Sequence, residues 1–150
     1  MKPEINFYNT KKFDLYLNEE VISNWIIDVI KSYGFNSTEI NYSFYTDDDL
    51  LEINKSYLNH DTYTDIITFD NTINKSISAD IALSYDRIKD NAKQNNIDFD
   101  IELKRVLIHG LLHCLGYKDD TKEAKVIMRQ EEDKALNMFH VEHKISETNV

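Results

Sequence analysis

The sequence predicts an α+β fold: a single domain with a small four-stranded mixed sheet covered by about five helices. Three observations carry this. The periodic segments run in the order β-α-β-α-β-β-α-α-α, so strands and helices mix early and helices stand alone later. No internal repeat and no Gly/Pro/Ser-rich linker divides the chain, which holds three glycines and one proline. The length of 150 residues suits one domain, and a composition 41% hydrophobic supplies enough apolar mass for a core.

Each element has its own signal. Ile5-Asn6-Phe7-Tyr8 alternates apolar and polar residues, the period of a half-buried strand. Asn18 is placed to cap a helix through Tyr33, with Val21, Ile22, Trp25, Ile26, Val29 and Ile30 on one face and Gly34 as its stop. Ile40 to Tyr45 reads as a second strand. Thr46-Asp47-Asp48-Asp49 has the form of a capping box and opens a helix to about Tyr57. Asp65 to Phe69 and Ser78 to Ser84 read as the third and fourth strands, and Tyr85 to Gln94 as a helix. A strongly apolar helix follows from Ile101 to Leu115, then a last one from Thr121 to Met138. From His140 to Val150 the apolar periodicity fades. The domain is therefore expected to span residues 1–139, with 140–150 a flexible tail.

Composition narrows the function classes. No run of eighteen apolar residues exists, so no membrane association is expected. The N-terminus turns polar too soon for a signal peptide, and a cytoplasmic location is expected. The single cysteine, Cys114, permits no intrachain disulfide. The net charge of −10 runs against nucleic acid as a partner, because such proteins usually carry a basic footprint. A net charge does not exclude a local basic patch, and a divalent cation adds positive charge where chemistry occurs. An acidic surface that simply keeps the protein soluble is the favoured explanation of the excess.

The informative run is His109-Gly110-Leu111-Leu112-His113-Cys114-Leu115-Gly116-Tyr117-Lys118-Asp119. The two histidines are four positions apart, so on a helix their rings share a face one turn apart. Two imidazoles so placed can reach one ion at about 2.0–2.1 Å each. Gly116 can take the left-handed backbone that ends a helix, and the returning chain can bring the Asp119 carboxylate to the same ion. Three protein ligands leave a fourth position open, the mark of a catalytic rather than a closed structural zinc. Such an ion lowers the pKa of a bound water toward about 7. One zinc ion per chain is expected, although imidazole and carboxylate also suit other divalent ions.

This run resembles the signature of the YbeY-type endoribonucleases, His-Gly-x-Leu-His-Leu-x-Gly-Tyr-Asp-His. Asp119 stands where that family usually has a histidine. Upstream, Asn54 to Phe69 is similar to the family's Asn-x-x-Tyr-Arg-x-x-Asp-x-Pro-Thr-Asp-Val-Leu-Ser-Phe, with Leu58 in place of an arginine thought to contact RNA. Ala79-Asp80-Ile81 is similar to the family's Gly-Asp-Ile strand. The resemblance spans about residues 40 to 136. It implies a zinc-dependent single-strand endoribonuclease acting in small-subunit rRNA maturation and ribosome quality control. Single-stranded ribosomal RNA and ribosome-associated proteins would be its partners, and no DNA is expected.

Other residues are read beside that core. Gly110 occupies the position of the glutamate base in His-Glu-x-x-His peptidases and cannot take a proton, which counts against a zinc peptidase. A non-catalytic ribosome-associated protein with a structural metal is the further alternative. Glu102 lies two helical turns before His109 and either orients an imidazole or is an ordinary helix-start acid. Asp65 either orients a ligand or caps its turn. His60 is a candidate for proton transfer or phosphate contact, or simply a solvated loop histidine. His60 and Lys55 are the residues available to stand in for the arginine absent at Leu58. Cys114 projects about 100° away from His113 and is expected to be a small buried residue. His140 and His143 are read as solvated.

Overall fold

The computed structural model describes the backbone of residues 3–148 and the side chains as far as His140. The element order is the expected one: β1 (Glu4–Asn9), α1 (Glu19–Ser32), β2 (Asn36–Tyr45), α2 (Asp47–Leu58), β3 (Ile66–Asp70), β4 (Ser76–Ser84), α3 (Tyr85–Gln94), α4 (Phe99–Cys114) and α5 (Lys122–Thr148). The strands form one mixed sheet in the order β1-β2-β4-β3. β1 and β4 run parallel to β2, and β3 runs antiparallel to β4.

Local chemistry sets the boundaries. Asn18, Thr46 and Ser84 each lie just before a helix, and each side chain accepts from the backbone N–H three residues on. These bonds satisfy donors that a helix start otherwise leaves unmet. Helix α1 ends in a Schellman motif: the Phe35 N–H donates to Ile30 O, the Gly34 N–H donates to Lys31 O, and Gly34 has φ +78°. Strand β2 begins four residues earlier than expected. Its first residues, Asn-Ser-Thr-Glu, lack alternation, and they are held as a strand by pairing with β4 around an irregularity between Ser37 and Glu39.

Alternation in the strands gives the sheet two apolar faces. One carries Ile40, Tyr42, Phe44, Ile77, Ile81 and Leu83 and is buried in the main core with residues of α1, α4 and α5. Trp25 of α1 donates its indole N–H to Ala135 O of α5 at 2.8 Å, and Tyr42 donates to Leu107 O of α4 at 3.1 Å. These two bonds satisfy the polar ends of large buried rings. The other face carries Ile67 and Ala82, covered by Leu50 of α2. Helix α4 lies close against the sheet at Gly110. A Cβ there would stand 3.0 Å from Ile66 Cδ1 and 3.1 Å from Ile81 Cδ1.

Helix α5 corrects one expectation. Its backbone stays helical to Thr148, beyond the expected end at Met138. Apolar periodicity marks the part of a helix that packs, whereas Gly and Pro mark where one stops, and residues 122–148 contain neither. The expectations of flexibility in the tail and of a solvated His143 side chain fall outside the described residues.

Candidate metal centre

Helix α4 presents His109 and His113 one turn apart, with their Nε2 atoms 3.1 Å from each other. The helix then ends in a second Schellman motif. The Tyr117 N–H donates to Leu112 O, the Gly116 N–H donates to His113 O, and Gly116 has φ +102°. The reversal carries Asp119 back over the two rings. Its Oδ2 lies 3.1 Å from His109 Nε2 and 3.5 Å from His113 Nε2. A tetrahedral ion with bonds of about 2.0–2.1 Å holds its ligand atoms about 3.3 Å apart. The three side chains fit such an ion, and they form the only cluster of metal-ligating side chains among the described residues.

Two further contacts set the tautomers. His109 Nδ1 lies 2.8 Å from Glu132 Oε2, and His113 Nδ1 lies 3.1 Å from Tyr117 O. Both partners are acceptors, so each Nδ1 carries the proton and donates it, leaving each Nε2 lone pair directed at the shared point. Glu132 is 5% exposed and also accepts from Arg105 Nη1 at 3.1 Å; Arg105 pairs with Asp133 at 2.9 Å as well. The turn that carries Asp119 has its own tether, because Tyr117 donates its hydroxyl to Glu131 on α5 at 3.1 Å.

Glu132 takes the orienting role considered for Glu102. Glu102 is buried in the neighbouring wall but has no hydrogen bond to either imidazole, and burial raises its pKa against the pull of Arg105. The sequence signal for Glu132 lies in α5. Met128, Ala135, Leu136 and Phe139 form a buried stripe, and Glu132 is an acid in the middle of it. Tyr117, Glu131 and Arg105 carry no comparable signal, since only the packing of α4 on α5 brings them together.

The cluster sits where two clefts meet. One, of about 540 Å³, lies among α3, α4 and α5; the other, of about 620 Å³, lies between β3 and the loop after α2. Asp65, His109 and Asp119 line both. Burial raises the Asp65 pKa, with nearby His109 opposing the shift. The Asp65 carboxylate takes a hydrogen bond from its own backbone N–H, and beside it Thr64 Oγ1 pairs with Ile66. For His109, burial favours the neutral ring, but the bond to Glu132 and the nearby charges of Glu132 and Asp119 win, so its pKa is raised.

His60 lines the second cleft together with His113 and Leu58. Lys55 lines neither cleft; it pairs with Asp61 at 3.4 Å and Glu52 at 3.7 Å. Cys114 is buried, and burial together with Asp70 pushes its thiol up to about 12, so it is not a nucleophile near neutral pH. Gly110 faces Ile66, Ile81 and Thr68 of the sheet. A side chain at that position would need Ile66 and Ile81 to give way. Among the described residues no helix is long and apolar enough to cross a membrane.

Comparison with known proteins gives one consistent result. A family model described as Endoribonuclease YbeY matches residues 4–140. The chain is 50% identical to an endoribonuclease YbeY of Flavobacterium johnsoniae, covering 92% of this chain and 99% of the relative. It is 45% identical to one from Christiangramia forsetii, covering 94% and 98%. A solution structure of the Thermotoga maritima protein TM1509 shares the fold, with TM-score 0.63, 22% identity and 93% of both chains covered.

Proposed function

The chain belongs to the YbeY endoribonuclease family, and we propose that it is a cytoplasmic, metal-dependent endoribonuclease that cleaves single-stranded RNA during small-subunit rRNA maturation, alongside ribosome-associated proteins. His109, His113 and Asp119 are the proposed ligands of one zinc ion. The observation that carries this reading is the convergence of their three donor atoms at the meeting point of two clefts. A divalent ion held there supplies Lewis acidity to a phosphoryl oxygen and acidifies a water.

The chain's own residues do the rest. Glu132 and the Tyr117 carbonyl hold the imidazoles in the tautomer that ligates. Gly116 and the Tyr117–Glu131 bond hold the turn that delivers Asp119. Asp65 lines both clefts with a raised pKa and is the residue proposed to handle a proton during cleavage. His60, in the second cleft, is the alternative.

The test is cleavage of single-stranded RNA by purified wild-type protein, by the same protein with chelator, and by His113→Ala. Cleavage is expected in the first alone. Equal cleavage in all three would point to a contaminating nuclease and reject the assignment.

A further inference from the structure

We propose that the cleft among α3, α4 and α5 is the subsite for the phosphodiester backbone of the RNA strand, gripped by Lys125 and Arg129. This rests on the reading that the chain acts on RNA. A protein of net charge −10 repels a polyanion unless cations stand where the strand lies. Lys125 and Arg129 are one turn apart on α5, and both line this cleft beside His109 and Asp119.

Neither is committed elsewhere. Lys125 makes no ion pair among the described residues. Arg129 reaches only Glu132, at 3.8 Å, with a side chain 62% exposed. Arg105, deeper in the same wall, is already held by Glu132 and Asp133. The α3 side offers Asn91 and Asn95, which are neutral; Asp65, Glu102, Asp119 and Glu132 also line the cleft, and Glu132 is already paired with Arg105. The cleft on the other side of the cluster contrasts with this. Asp65, Asp70 and Asp119 line it, and no lysine or arginine does. Asp65 and Asp119 face both clefts, so the difference lies in the cations: a phosphate that reaches the cluster from the α5 side meets Lys125 and Arg129, and from the other side it meets no lysine or arginine to offset the carboxylates.

The experiment uses the zinc-loaded full chain and a short 2′-O-methyl RNA, checked intact afterwards. Fluorescence anisotropy gives the binding constant across a range of salt concentrations. Lys125→Gln/Arg129→Gln is compared with Lys89→Gln/Lys93→Gln, which removes the same charge from α3 outside the cleft. Each phosphate contact to a single strand contributes about 0.7 to the slope of log K against log salt. The α5 double variant is expected to flatten the slope by about 1.4, while the α3 variant keeps the wild-type slope. Equal flattening in both would show a general field effect and overturn the subsite. An unchanged slope in the α5 variant of a protein that still cleaves RNA would overturn the subsite alone. A wild-type protein that neither binds nor cleaves RNA would overturn the functional reading and the subsite with it.

Discussion

Glu132 is a buried carboxylate that accepts from His109 on one oxygen and from Arg105 on the other. A buried charge is tolerable only when paired and hydrogen-bonded, and here both conditions hold. Its charge favours the His109 tautomer that leaves Nε2 free, and it strengthens that nitrogen as a donor to an ion. Glu132→Gln keeps the shape but loses the charge. One end of the amide must also turn a donor toward either His109 or Arg105. Zinc affinity is expected to fall about 10–100-fold, read by competition with a chromophoric chelator, while the circular dichroism spectrum stays that of wild type. An affinity within twofold of wild type would show that Glu132 does not orient the ring.

Two of the chain's three glycines end helices in the same way, and they separate stability from function. Gly34 and Gly116 have φ of +78° and +102°, and an alanine at either is strained by about 1–2 kcal/mol. Gly34 leads from α1 into β2, far in sequence from the cluster, whereas Gly116 aims the turn that carries Asp119. Gly34→Ala is expected to lower Tm and leave zinc affinity unchanged; Gly116→Ala is expected to lower both. Calorimetry and metal titration of the two variants check this, and equal metal affinity in the two would deny the turn its role. The same elements show how much of the fold and the site is legible in the sequence alone. The His109–His113 spacing, Gly116 and the three side-chain caps are local features, and local physics is written in adjacent residues. The start of β2 is not legible, because Asn36 to Glu39 are strand only by virtue of their neighbours. Glu132 leaves a trace as an acid in an apolar stripe, but its partner lies on another helix.

For the whole molecule, ionisation ties fold to metal. The His109 pKa is raised in the folded state, so its charged form stabilises the metal-free protein below pH 6.5, and that contribution is lost as pH climbs through the raised value. Asp65 and Glu102 also have raised values, so they too take stability away as pH rises out of the ordinary carboxylate range. Ligation needs the neutral ring, so zinc binding strengthens over the window in which the metal-free fold weakens. The rise in Tm on adding zinc is expected to grow as pH passes upward through and beyond 6.5, measured by thermal unfolding with and without the ion. A shift independent of pH would contradict this. The separation of 23 positions between His109 and Glu132 has one more consequence. On a growing chain both imidazoles are synthesised before their anionic anchor exists, so a partly made polypeptide holds two rings with nothing behind them. The full affinity of the cluster for a metal is therefore expected only once the final helix has docked and set Glu132 behind His109.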